Sequence, residues 1–546
     1  MGTALNQKAG RQKDIGKHPA AVVPESHSQP DELSSGLRSY LFATVSLSGA
    51  AVLIVEILGA KMLAPYVGTS HFVWTAQIAV TLLALAGGYA LGGWVADRSP
   101  QLRVLYSALM AAGVWLCGAA WACEPVAFAC LRFRLALGSL LASAALFFVP
   151  LALLAMVGPL CVRRLTSSVS TLGQSVGTLS AISTAGSVGG TVLIAYVLIP
   201  FLANSSIIYV TASYLVLLSA GYFLIWNRQW KTRALIGMGA AGLLIVAGSR
   251  DQVVNVPGTE ELFRANSNFG LVQVVQTTNS RPLRYLLNDL LPQNSYDPER
   301  HEGAAAFTFI EDALIAAYRA EDVHDALFIG MGAGVVPMRM AQAGIRADVV
   351  EINPVIVAAA ERFFDFDASR VRLEVGDGRY FLHETGNEYD AIIFDAFLGD
   401  SPPSHLMTRE AFQSVRRRLR PNGLLIINSW GEFAAGKDYV PASLDKTLKS
   451  VFRSVRAHVG PSAVFFVVSD RPDLQMLRKP DLSSAPYQLR EAIQKALDTT
   501  QTPNPTHGSV LTDDYNPVDY RDAAYREELR RRMLHYSLGT PITPRS

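Results

Sequence analysis

The chain has 546 residues with 48 basic and 46 acidic side chains, too long for one compact domain. Residues 41–249 hold ten basic and three acidic residues, and 165–227 hold none, where soluble domains run near 25% charged. Residues 250–546 hold 33 basic and 39 acidic residues, a net of −6. The whole composition rules out a purely soluble enzyme, a collagen-like or disordered protein and a secreted disulfide scaffold, and the acidic second half without a basic stripe argues against nucleic-acid binding.

Residues 1–36 are polar without apolar periodicity and are expected to form a disordered tail. Apolar segments follow at roughly 40–60, 72–96, 104–123, 135–160, 176–200, 205–226 and 234–248, against the ~20 residues a crossing helix needs. Six meet that length and the seventh is marginal. The expected membrane domain spans 37–250, with six to seven helices. Gly87, Gly88, Gly92, Gly93, Gly186, Gly189 and Gly190 suit close helix packing in lipid. Glu56 lies inside the first segment, where a carboxylate faces the bundle, finds a partner such as Lys61, or handles a proton or amine. The four cysteines (Cys117, Cys123, Cys130, Cys161) all fall in this half without zinc-type spacing, and no metal site is expected.

Basic residues cluster in the tail (Lys8, Arg11, Lys13, Lys17, Arg38) and in alternate loops: Arg98 and Arg103, Arg163 and Arg164, then Arg228, Lys231 and Arg233. The intervening loops carry only Lys61, Arg132 and Arg134. This asymmetry puts the N-terminus in the cytoplasm of a multi-pass inner-membrane protein. Seven crossings would put the C-terminal half outside, and six would keep it inside.

From about residue 260 short strands alternate with helices, the pattern of a parallel, doubly wound α/β sheet. A small β unit (255–300) precedes an α/β domain (301–536) and a tail (537–546). Strand 326–330 runs into Gly330-Met-Gly332-Ala-Gly334, where glycines allow a sharp turn and close ligand approach. The next strand ends at Glu351, an acid able to accept from ribose hydroxyls. Asp377, beside Gly378 after the third strand, could accept from the adenine amine or simply form a turn. Asp395 closes an apolar strand, where burial raises its pKa and suits it as a proton acceptor; a helix cap is the plainer alternative. Asp400 sits in a loop with two prolines and reads first as a turn former.

Ile329-Gly-Met-Gly-Ala-Gly334, Val350-Glu-Ile-Asn-Pro354, Gly376-Asp-Gly378, Asp390-Ala-Ile-Ile-Phe-Asp395 and Leu406-Met-Thr408-Arg-Glu-Ala-Phe412 together resemble the core of the spermidine synthase family, aminopropyltransferases on a methyltransferase-type Rossmann fold. Leu287-Asn-Asp-Leu-Leu-Pro-Gln293 with His301-Glu302 resembles that family's N-terminal β unit. Glu56, Leu63-Ala-Pro-Tyr-Val-Gly68 and Gly92-Gly-Trp-Val-Ala-Asp97-Arg98 resemble the membrane part of bacterial fused spermidine-synthase-like proteins, whose C-terminal signature is similar to Leu511-Thr-Asp513-Asp514-Tyr515-Asn-Pro517.

The resemblance implies a nucleoside site at Gly330, Gly332, Gly334, Glu351, Asp377 and Gly378, and a base at Asp395. It implies acceptor contacts from Gln293 and His301. Two amine-binding acids of the family are replaced here by Ala333 and Leu398, and Asp400, Asp513 or Asp514 could substitute. The implied reaction moves an aminopropyl group from decarboxylated S-adenosylmethionine, a co-substrate rather than a tightly bound cofactor, to a putrescine-like amine. A homodimer would be compatible. Since that donor is made in the cytoplasm, the soluble half is expected there. Two other readings are S-adenosylmethionine-dependent methyl transfer and a non-catalytic transporter or sensor.

Overall fold

The computed structural model describes residues 33–538 apart from 69, 100, 167–170, 200, 251–257, 320, 398–402, 435 and 462. The N-terminal tail up to residue 32 and residues 539–546 therefore lie outside the described residues.

Seven long apolar helices come first: α1 (Ser35–Val67), α2 (His71–Arg98), α3 (Leu102–Cys130), α4 (Leu135–Leu165), α5 (Leu172–Leu198), α6 (Asn204–Ile225) and α7 (Arg228–Gly248). Each is long and apolar enough to cross a bilayer. The seventh is longer than its apolar run suggested, because Arg228–Arg233 joins the helix ahead of it. Small residues let two helix pairs meet backbone to backbone. A side chain on Gly186 or Gly190 would strike Ser46 or Ala50 of α1, and one on Gly88 or Gly92 would strike Ala152 or Met156 of α4. Gly93 and Gly189 face open space instead. Glu56 lies half-buried on α1. Its suggested partner is engaged elsewhere, for Lys61 Nζ donates to Asn268 O at 2.6 Å.

The small β unit is a five-stranded antiparallel sheet of β1 (Thr259–Ser267), β2 (Gly270–Thr277), β3 (Arg284–Asn288), β4 (Leu291–Asp297) and β5 (Glu302–Gly303). Pairing of β5 with β4 carries this unit to Gly303, a few residues past the expected boundary at 300.

The second sheet contains β6 (Asp325–Ile329), β7 (Arg346–Glu351), β8 (Arg372–Val375), β9 (Tyr389–Phe394), β10 (Leu419–Ser429), β11 (Ser454–Val459) and β12 (Val464–Ser469). Their order is β11-β12-β10-β9-β6-β7-β8, with β6 to β10 parallel and the last two antiparallel. Ala391–Phe394 of β9 and Leu424–Ile427 of β10 are fully buried, as expected for strands covered on both faces. Helices α8 (Phe307–Tyr318), α9 (Val335–Gln342), α10 (Pro354–Phe363), α11 (Gly378–Glu384), α12 (Arg409–Arg418), α13 (Tyr439–Lys449) and α14 (Tyr487–Asp498) accompany the sheet. The doubly wound architecture matches the expectation from sequence, with the antiparallel β11–β12 edge as an addition.

A final helix, α15 (Ala523–Leu538), runs to the end of the described chain, where a tail from 537 was expected. It joins the two halves. Arg530 donates to the carbonyls of Ala64, Pro65 and Tyr66 and so caps the last turn of α1, where the Ala64 carbonyl also accepts from the Gly68 N–H. The Leu135 N–H, at the uncapped start of α4, donates to Glu527 at 3.0 Å. Asn266 donates to Leu202 O in the α5–α6 turn. The soluble half thus meets the C-terminal end of α1 and the α3–α4 and α5–α6 turns. Those are the helix ends opposite Arg38, Arg98, Arg103 and Arg164.

Candidate active site

In an open parallel sheet, ligands bind beyond the carboxyl ends of the strands, where the connection direction reverses. A cavity of about 500 Å³ opens there, above β6 to β10 and beneath the small β unit. It lies within the range of small-molecule sites.

The glycine turn forms its floor. Gly330, Gly332 and Gly334 all have positive φ (86°, 51° and 74°), a region closed to most side chains. A methyl group on Gly330 would collide with the Asp395 carbonyl, and one on Gly332 with the Asn294 carboxamide. Asn294, on β4, accepts from the Ala333 N–H at 2.9 Å, so the small β unit holds the turn from above. Gly334 starts α9 and packs on Phe366, away from the cavity lining.

Glu351 ends β7, is 6% exposed and lines the cavity. Its carboxylate accepts from the backbone N–H groups of Met331 (3.2 Å) and Asn353 (2.9 Å), which fixes its direction. Burial pushes its pKa up, and those N–H groups pull it back. Asp377 caps α11 by accepting from the Tyr380 N–H at 2.9 Å, and its other oxygen meets His405 Nε2 at 2.8 Å. Both the turn reading and a site at the cavity wall therefore fit Asp377. Burial raises its pKa, but the Tyr380 and His405 contacts outweigh this and leave it lowered. Gly378 lines the same wall.

Asp395 follows β9 directly. Its backbone N–H donates to Ile329 O, which ties it to the glycine strand. Its carboxylate accepts from Asn428 Nδ2 on β10 at 2.8 Å. Desolvation pushes its pKa to about 6, with the Asn428 hydrogen bond opposing. No helix-capping contact occupies its carboxylate among the described residues, so it is free to meet a ligand. Beyond Asp395 the cavity is lined by Phe307, Phe397, Trp430, Phe465, Leu529 and Arg532.

Gln293 lines the cavity, as the β-unit motif suggested. His301 does not. It sits on the β4–β5 turn with φ 57° and pairs with Asp365, which also accepts from the Tyr296 hydroxyl. The position was read from a neighbouring motif, and the distant Asp365 captures the ring. Asp514 is exposed and away from the cavity. Its neighbour Asp513 instead binds Arg379 at 2.7 Å and the Thr408 hydroxyl at 2.8 Å, bracing α11 against α12. Asp400 lies outside the described residues. Asn294, His405, Asn428 and Trp430 were not singled out from sequence. For Asn428 the signal was an amide at the end of the apolar run Leu424–Ile427, next to the strand carrying Asp395.

A glycine-floored cavity with one acid at each of three successive strand ends can hold a nucleoside and offer a carboxylate to a nucleophile. Glu351→Ala removes a charged acceptor worth about 1.5–3 kcal/mol. Nucleoside affinity of the folded variant should fall about ten- to a hundredfold by titration calorimetry, and the melting temperature should also drop, because the Met331 and Asn353 N–H groups lose their acceptor.

This is the layout of a Rossmann-type transferase. Residues 315–463 match the spermine/spermidine synthase domain family. A polyamine aminopropyltransferase of Vibrio vulnificus is 31% identical over 208 residues, 35% of this chain and 68% of that protein. An N-terminal histidine N-methyltransferase of Emericella nidulans is 30% identical over 162 residues, 28% of each chain. A probable spermidine synthase from Corynebacterium glutamicum is structurally similar, with a TM-score of 0.36 and 18% identity over 45% of this chain and 91% of that one. The chain belongs to the polyamine aminopropyltransferase family, and it is a transferase.

Proposed function

We propose that the chain is a membrane-embedded aminopropyltransferase, moving an aminopropyl group from decarboxylated S-adenosylmethionine to a polyamine-type amine. The nucleoside would lie over Gly330 and Gly332, its ribose on Glu351 and its adenine edge at Asp377. The amine attacks the propyl carbon attached to the sulfonium. The new C–N bond forms as the C–S bond breaks, the electron pair passes to sulfur, and methylthioadenosine leaves. An ammonium cannot attack, so one proton must go, and Asp395 takes it. Holding donor and amine in line in one enclosed cavity supplies the rest.

One observation carries this reading: Asp395, a desolvated carboxylate at the cavity wall, stands on the strand between the glycine strand and β10. Binding of decarboxylated against carboxylated S-adenosylmethionine to the full-length protein in detergent tests it. The decarboxylated donor should bind more tightly. Preference for the carboxylated donor would favour methyl transfer instead.

We also propose that α1 to α7 cross a bilayer. Leu82, Leu83, Val188, Tyr196 and Leu243 point outward and exposed, as side chains facing lipid do. Loop charge puts the N-terminus in the cytoplasm. Seven crossings then leave the catalytic half on the opposite face. This sidedness departs from the cytoplasmic expectation for that half, which rested on where the donor is made; the helix count and the contacts at the far helix ends support it. A domain on that face draws its donor from outside the cytoplasm or through the helical half. Reporter fusions after residues 36 and 165 should signal cytoplasm, and one after 538 the outside. A cytoplasmic signal at all three would refute the sidedness.

A further inference from the structure

Helix α15 is rich in charge, and the spacing of its charges divides it into faces. Glu527, Arg530 and Arg531 lie one turn apart on one side, and Glu528 and Arg532 lie one turn apart on another. The first set grips the helical half. Arg530, 3% exposed, donates to the carbonyls of Ala64 (2.8 Å), Pro65 (3.3 Å) and Tyr66 (3.2 Å) at the end of α1. Glu527 accepts from the Leu135 N–H at the start of α4, and Arg531 donates to Phe133 O at 2.8 Å. The second set grips the catalytic half. Arg532 pairs with Glu432 at 2.9 Å, two residues beyond Trp430, and Glu528 pairs with Lys437 at 2.6 Å.

The same turn of α15 puts Leu529 and Arg532 into the wall of the catalytic cavity, at the end that holds Trp430. The nucleoside wall is built from other parts of the chain. Its glycine turn and its acids Glu351 and Asp377 are held by Asn294, Met331, Asn353, Tyr380 and His405, none of them on α15. Helix α15 also packs on β4, which carries Asn294. That strand is paired on both sides, with β3 and with β5, so its sheet rather than the helix holds it.

We propose that Arg530 is a positioning residue for the acceptor amine: by fixing α15 to the end of α1, it holds Leu529 and Arg532 in the wall against which the amine packs. The proposal rests on the reading above, in which the end of the cavity beyond Asp395 receives the amine. A helix tied down at three carbonyls cannot slide or turn, and a small shift of a positioning wall is enough to weaken binding and alignment. The helical half thereby sets acceptor affinity, which gives the fusion of the two halves a consequence for the reaction.

Arg530→Gln removes the charge that holds the three carbonyls. In full-length protein in detergent, assayed with decarboxylated S-adenosylmethionine and putrescine, the amine KM should rise roughly tenfold. Donor affinity should stay within about twofold, the split expected when only the amine's binding is lost. Arg530→Lys can still donate to the same carbonyls and should recover most of the amine KM; where the Gln variant does not fold, it carries the test with a smaller rise. Arg532→Leu should raise the amine KM by itself. Because Arg530 acts through that wall, the double variant Arg530→Gln/Arg532→Leu should cost less than the product of the two single effects. An unchanged amine KM in a folded Gln variant would overturn the proposal. Equal losses of donor and amine affinity, or a double variant whose effects multiply, would overturn it too, by making Arg530 a structural residue only. No amine product from the unaltered chain would instead overturn the aminopropyl reading on which the proposal rests.

Discussion

Asp395→Asn is expected to lower turnover by about 10²–10⁴-fold, the usual contribution of a general base. The substitution keeps the size of the side chain and the capacity to meet Asn428, and it removes the basicity. Nucleoside affinity should change little, because Glu351 and the Gly330–Gly332 turn form a separate part of the wall. A pH profile adds a second check. Desolvation holds Asp395 at about 6, so the base is ionised above that pH and protonated below it. The rate should therefore rise with pH through about 6, and the Asn variant should lose that limb. Collapse of nucleoside binding in the variant would move Asp395 into the nucleoside pocket.

Asp390→Ala is expected to destabilise the catalytic half by about 3–5 kcal/mol, the cost of breaking a buried ion pair from one side. Asp390 opens β9 and is 4% exposed. It accepts from the N–H groups of His324 (2.8 Å) and Asp325 (3.0 Å) and from Arg319 (3.0 Å) and Arg420 (3.1 Å). Arg319 is itself buried, so losing Asp390 leaves its charge with only backbone carbonyls and the exposed Glu321 at 3.8 Å. Burial raises the Asp390 pKa, but the two N–H groups and two guanidinium groups outweigh it and leave it lowered. A carboxylate with a depressed folded pKa stabilises above its unfolded value, and that stability is lost as pH falls through the folded pKa. Urea melts should thus show the wild type losing stability on acidification and the variant losing less. A variant within about 0.5 kcal/mol of wild type would show this network to be dispensable.

Much of the glycine-and-acid wall of the cavity was legible because its chemistry is local. A glycine turn after an apolar strand, then single acids at the ends of the next strands, can be read from adjacent residues. The remainder of the cavity comes from long-range contacts. Asn294 reaches the glycine turn from the small β unit, Asn428 reaches Asp395 across a strand pair, and Leu529 and Arg532 arrive from the last helix. No spacing rule announces such contacts. His301 and Asp514 lie outside the cavity lining because polar loop positions are settled by the nearest partner in space, here Asp365 for His301 and the Arg379–Asp513 pair beside Asp514. The seventh helix was marginal because its first turns are basic and aromatic rather than apolar.

On the function proposed above, this cavity joins an aminopropyl group to an amine. Mass spectrometry of the full-length protein incubated with decarboxylated S-adenosylmethionine and a panel of amines tests it most directly. Methylthioadenosine is expected together with an amine heavier by one aminopropyl group, and neither product from Asp395→Asn at a comparable rate. A methylated amine formed from S-adenosylmethionine, with no aminopropyl product from the decarboxylated donor, would contradict it.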